Sequence, residues 1–152
     1  MPGSPRGPNA SASLLALGLV WSLQGCASEP PVPPFFSGGA TYSLVLFDES
    51  KEVATGTLRV SPDDPARGEF RLRLLSGDSE LGRLLRAKTR DGTCDVGLAQ
   101  EGGVAHLHLL PHVEDNTVHL SGRISGSVVT GTVGHAAQAG VKVLGRFTLR
   151  PN

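Results

Sequence analysis

Residues 69–74 read Glu-Phe-Arg-Leu-Arg-Leu, a strict alternation of charged and apolar side chains. In an extended chain Phe70, Leu72 and Leu74 share one face, and Glu69, Arg71 and Arg73 the other; a helix scatters the six around its circumference. The segment is therefore expected as a strand with one wet and one buried side. The same period of two recurs along the chain. It aligns Tyr42, Leu44 and Leu46 over residues 40–47, and Ala54, Gly56, Leu58 and Val60 over residues 52–60. It aligns Cys94, Val96 and Leu98 over residues 93–99, and Ala105, Leu107 and Leu109 over residues 103–110. Toward the end it aligns Val118, Leu120, Gly122 and Ile124, then Val129, Gly131 and Val133, then Val143, Gly145, Phe147 and Leu149. Residues 83–89 are the weak link, because Leu81–Arg86 fits a helical turn as well as a strand.

The joints between these runs carry turn chemistry. Asp48-Glu49-Ser50, Pro62-Asp63-Asp64-Pro65, Gly77-Asp78, Asp91-Gly92, Gly102-Gly103, Asp115-Asn116 and Ser125-Gly126 all fall between runs. Asp-Gly is the strongest hairpin signal among them, since both residues tolerate positive φ. Eight or nine short strands with short joints make a meander, and a meander that twists shut removes its exposed edges. The expected fold is all-β, an antiparallel up-and-down barrel of 8–9 strands over residues 39–152, with a flattened β-sandwich as the alternative. Small residues recur on the inward face (Ala54, Gly56, Ala105, Gly122, Gly131, Gly145). Such residues permit tight coiling, and they are also expected to leave room for a small apolar ligand inside the barrel.

This arrangement is similar to the lipocalin or avidin class of small barrels in architecture alone. The lipocalin Gly-x-Trp is absent, and the one tryptophan, Trp21, lies far upstream of the first strand. The closing segment Val143–Arg150 resembles the last strand of uncharacterised bacterial lipoproteins.

The amino-terminal region has a different character. Residues 14–23 form an apolar run of about 10 residues, half of the roughly 20 that a membrane-spanning helix needs. That length suits the core of a signal peptide, with Arg6 and the α-amino group supplying the positive flank. Leu23-Gln24-Gly25-Cys26 follows. Leu23, Gly25 and Cys26 resemble the lipobox of bacterial lipoproteins, while Gln24 stands where a small or aliphatic residue is usual. The resemblance implies that residues 1–25 are removed and that Cys26 becomes the first mature residue, carrying acyl chains. Ala27 after the cysteine then implies the outer membrane, facing the periplasm. Two alternatives stand beside this one: cleavage after Ala27 with release as a secreted soluble protein, and a buried helix over residues 14–23. Four prolines in residues 27–38 favour an extended arm, so residues 26–38 are expected as a Pro-rich tether.

Charge narrows the partners. The chain has 14 basic and 14 acidic residues, and from Cys26 onward 13 against 14, a net of −1. Nucleic-acid binding needs concentrated Lys and Arg, so no nucleic-acid partner is expected. The expected partners are the membrane, through lipid on Cys26, and either a small apolar ligand or an envelope protein. With Cys26 lipidated, Cys94 has no partner for a disulfide. On the apolar face of its strand it is expected to behave as a small hydrophobe.

The most suggestive polar cluster is histidine. If Leu109 pairs with Val118, then Leu107 faces Leu120, His108 faces His119, and His106 faces Ser121. Opposed Cβ atoms on paired strands lie about 4.5–5.5 Å apart, within reach of a shared zinc, copper or nickel ion. Against this, His106, His108 and His119 alternate with the core leucines, so they point outward as solvated side chains. Glu114 and Asp115 in the following loop are the carboxylates nearest in sequence. The three histidines are therefore weak metal candidates, and no cofactor is expected. No Gly-x-Ser-x-Gly elbow or phosphate-cradling loop before a helix is present. No catalytic residue is assigned, and the expected function is that of a non-enzymatic envelope lipoprotein that binds an apolar ligand or, with a filled barrel, serves as a structural or interaction module.

Overall fold

The computed structural model describes Gly3, residues 31–110 and residues 117–152. Arg6, the apolar run at 14–23, Leu23-Gln24-Gly25-Cys26 and the loop from Pro111 to Asn116, with His112, Glu114 and Asp115, lie outside the described residues.

Each alternating run forms a strand. In chain order these are β1 (Thr41–Asp48), β2 (Lys51–Val60), β3 (Arg67–Leu74), β4 (Thr93–Glu101), β5 (Val104–Leu109), β6 (Thr117–Ser125), β7 (Val128–Ala137) and β8 (Gly140–Pro151). Among the described residues one helix, α1 (Glu80–Lys88), stands between β3 and β4. Every strand pairs antiparallel with its sequence neighbours, and β1 pairs with β8 as well as β2, so the sheet closes as an eight-stranded up-and-down barrel. Tyr42, Leu44, Leu46, Leu58, Phe70, Leu107, Leu120, Phe147 and Leu149 line the buried interior.

The ambiguous stretch at 81–86 is helical. Ser79 caps α1, its hydroxyl accepting from the Gly82 amide at 2.9 Å, which satisfies one of the unpaired donors of the first turn. Leu81 and Leu85, one helical turn apart, are fully buried. The Asp91-Gly92 signal also holds: both residues have positive φ, and Arg90 and Thr93 exchange backbone hydrogen bonds of 2.8 Å across them. This two-residue turn leads out of α1 into β4.

Two bulges break the period of two near α1. At Leu46/Phe47 the β1–β2 register shifts, so adjacent residues Val53 and Ala54 are both buried. At Val133/Gly134 the β7–β8 register shifts, so Leu144 and Gly145 are both buried and Val143 turns outward, 61% exposed. The inward placement expected for Val143 is thereby corrected. An uninterrupted alternation cannot register an inserted residue, which flips every side chain beyond it. α1 contacts β2 and β8, the two strands that carry the extra buried residues.

Candidate functional site

The register expected for the histidines is present: Leu107 faces Leu120, His108 faces His119 and His106 faces Ser121. Their outward direction is also as expected, with His108 exposed and the other two partly covered. The His108 and His119 rings lie 6.1 Å apart between centroids, tilted by 33°, and His106 Nδ1 is 3.2 Å from the Ser121 hydroxyl. A further neighbour fixes His119. Opposite it on β7 stands Gly134, and a Cβ there would lie 2.8 Å from His119 Cε1 and Nε2 and 3.2 Å from Val141. The imidazole thus occupies the notch that a glycine leaves, with its Cε1–Nε2 edge against β7. Covering by these neighbours pushes the His119 pKa down, and the charge of His106 adds to the effect. Among the described residues no three His, Cys, Asp or Glu side chains converge as a metal site.

Cys94 is buried, and its thiol donates to the carbonyls of Leu110 at 3.1 Å and Asp95 at 3.2 Å. Burial raises its pKa, so the thiol stays protonated and unreactive near neutrality.

The interior decides what the barrel can hold. Inward glycines do not leave empty volume, because neighbours lean over them. A Cβ at Gly122 would sit 2.7 Å from the Thr130 carbonyl oxygen, 2.8 Å from Val129 and 2.9 Å from Phe147. At Gly56 the nearest atoms would be the Arg71 carbonyl oxygen at 2.4 Å and Leu72 at 2.7 Å, and at Gly145 the Phe47 carbonyl oxygen at 2.1 Å and Leu81 at 3.0 Å. These glycines are small because the strands coil closely and large side chains fill the remaining space. Among the described residues the buried set contains no polar or charged side chain.

Both ends are stoppered by the chain itself. At one end sits α1 with Leu81 and Leu85, and Lys142 Nζ meets the Glu80 carboxylate at 2.6 Å. That hydrogen bond holds Glu80 below the usual carboxylate range. At the other end runs a strap, Pro33–Phe36. Phe36 is buried at 7% exposure, and Phe35, Phe36 and Tyr42 form an aromatic cluster with ring centroids 5.2–5.9 Å apart. Tyr42 donates its hydroxyl to the Phe35 carbonyl at 2.6 Å. The Gln100 side chain clamps the strap, accepting from the Phe35 amide at 2.6 Å and donating to the carbonyls of Pro33 at 3.1 Å and Gly102 at 2.9 Å. Within the stretch expected as a Pro-rich tether, residues 26–38, Pro33–Phe36 are bound to the barrel. Its signal in the sequence is the Phe35-Phe36 pair, whose two large rings are costly to leave in water.

Open clefts lie on the outer face and rim. One of about 560 Å³ is lined by Phe47, Ser50, Thr130, Thr132, Arg146 and Thr148, among others. One of about 360 Å³ lies by Arg59, Arg67, Glu69 and Asp95. A third, of about 480 Å³, runs beside the strap. Comparison with protein-family models, curated proteins and solved structures returned no match.

Proposed function

We propose that this chain is a membrane-tethered, non-enzymatic envelope lipoprotein whose filled barrel acts through its outer surface, as a structural or protein-interaction module. The anchor rests on the apolar run at 14–23 and on Leu23-Gln24-Gly25-Cys26, with acyl chains on Cys26 holding the mature protein to the outer membrane on its periplasmic side. Each buried CH₂ contributes about 0.8 kcal/mol, so two or three chains suffice without a spanning helix. The observation that carries the surface-acting reading is the occupied interior: neighbours cover Gly56, Gly122 and Gly145, Phe36 closes one end, and Leu81 and Leu85 close the other. A small apolar ligand of ordinary size needs about 300 Å³ or more, and here it must displace the strap or the helix to enter.

Native mass spectrometry of the protein, expressed with its own signal and released in mild detergent, tests both parts. The expected species begins at Cys26, bears acyl chains and carries no other mass. A chain beginning at Ser28 overturns the anchor. A stoichiometric non-covalent apolar molecule overturns the filled module in favour of a ligand carrier.

A further inference from the structure

Closure of a barrel removes strand edges only where neighbouring strands overlap. The β1–β8 ladder runs from Tyr42 opposite Pro151 to Phe47 opposite Arg146, and it stops there. β8 begins earlier, at Gly140, and pairs with β7 as far as Ala137 opposite Gly140. On the far side of β7 the sheet continues into β6, where Thr117 pairs with Ala136. Among the described residues, residues 141–144 of β8 thus have a strand on one flank and none on the other. Antiparallel strands send alternate backbone N–H and C=O groups to opposite flanks. Alternate groups over 141–144 therefore point to the open side.

The side chains of this segment suit an added strand. Val141 is 63% exposed and Val143 61%. Their partners across the ladder are Ala136 and Gly134, too small to cover them. Lysine commonly guards an open edge. Here Lys142 is drawn aside, because its Nζ meets the Glu80 carboxylate at 2.6 Å. Arg146 donates to the Glu49 carbonyl at 2.6 Å, so the β1–β2 turn closes the lower end of the opening. The size of the surface selects the occupant. Two valines fall far short of the roughly 800 Å² per partner that a globular docking face needs. An extended segment needs less, since main-chain hydrogen bonds hold it and alternate side chains give it specificity. A second copy of this edge is a poor occupant: with Val141 opposite Val143 of the copy, the two Lys142 side chains face each other, and like charges so placed repel.

We propose that the open flank of β8 at residues 141–144 receives an extended segment of a partner protein, with apolar β-branched side chains at alternate positions beside Val141 and Val143; this names the partner class of the interaction module and rests on that reading. The partner segment completes the sheet at the one stretch of β8 that β1 does not reach.

The probe is a short blocked peptide of alternating valine and threonine with lysine at both ends. It is added to the isotope-labelled full chain, expressed with its own signal and released in mild detergent, and amide exchange is read residue by residue. In the free protein alternate amides within 141–144 should exchange fast. Saturating peptide should slow them roughly tenfold or more and leave the β3 amides unchanged. Val141→Glu with Val143→Glu should abolish the slowing at an unchanged melting temperature, because both side chains are largely exposed. The same peptide with every backbone nitrogen methylated should also have no effect. If it acts like its parent, the contact is apolar adhesion and strand addition is overturned. Amides at 141–144 that are already protected, or that the peptide does not slow, overturn the edge and leave the filled module standing. Peptide-induced shifts at Phe36 and Tyr42 instead place the probe in the barrel mouth, which overturns the edge and the filled module together.

Discussion

Gly122→Ala tests, by the sign of its effect, whether the inward glycines are points of close approach. Where no atom stands over a glycine the added methyl group points into space, and replacing glycine restricts the unfolded chain, stabilising the fold by about 0.4–1 kcal/mol. In this structure the new Cβ meets Thr130, Val129 and Phe147 at 2.7–2.9 Å, which is 0.5–0.7 Å inside the 3.4 Å where ordinary contact begins. The nearest of these atoms is the backbone carbonyl oxygen of Thr130, held in the β6–β7 pairing just before Gly131. It cannot yield alone, so the two strands must part or Phe147 must leave its rotamer. Overpacking of this kind costs about 1–3 kcal/mol, and after the unfolded-state gain the net loss is about 1–2 kcal/mol. With a urea slope near 1.5 kcal/mol/M, the unfolding midpoint falls by about 1 M. Gly97→Ala is the matched control: it also lies in a strand, but nothing stands within 4 Å of its Cβ. It should be neutral or slightly stabilising. Equal or raised midpoints for both variants in parallel urea titrations would refute the account of the interior.

Phe70→Ala removes a fully buried ring and should cost about 3–5 kcal/mol; an unchanged melting temperature contradicts the packing of β3. Gln100→Ala leaves the Phe35 amide without its side-chain acceptor and should cost about 1–2 kcal/mol. Hydrogen exchange should then quicken at Phe35 while the β-strand amides stay protected, and unchanged protection at Phe35 means that the clamp is not what holds the strap. His119 has a folded-state pKa below its unfolded value, so the unfolded chain binds the extra proton. Its packed neutral ring contributes stability that is complete above about pH 6.5 and is lost as the pH falls through and below that value. The unfolding midpoint should drop between about pH 7.5 and pH 5, and His119→Gln should flatten that part of the profile; an identical slope in the variant removes His119 as its source.

The fold was legible in the sequence because one physical signal dominates it. An antiparallel sheet with one face in water demands alternation, and Phe70, Leu72, Leu107 and Leu120 satisfy it without interruption. The same rule extends to cross-strand partners, since fixing one pair across β5 and β6 sets His108 against His119. Where the alternation is interrupted the sequence is silent. Val143 and Leu144 are both apolar, and a bulge chooses between them by a register shift that arises from strands β7 and β8 together. The helix is hidden for a related reason. Leu81, Leu84 and Leu85 satisfy a helical turn, but with glycine at 82 and only nine residues, local preference is weak, and packing at the barrel end decides.

The site was less legible than the fold, because its meaning depends on which side chains lie over a given residue. An inward glycine reads equally as vacant space for a ligand or as a point of close approach, and only Phe147 over Gly122 and Leu72 over Gly56 separate the two. His119 shows the same dependence on the outer face. Its register sets it beside His108, while its partial burial depends on Gly134, fifteen residues away on the next strand, which leaves the notch that the ring fills. Phe35 and Phe36 carry the converse lesson. Proline on both sides of Val32 suggests an arm in solvent, but two adjacent aromatic rings need an apolar surface, and the open end of a barrel is the nearest one the chain provides. Once they are docked there, the point at which the chain leaves the domain is fixed to one end.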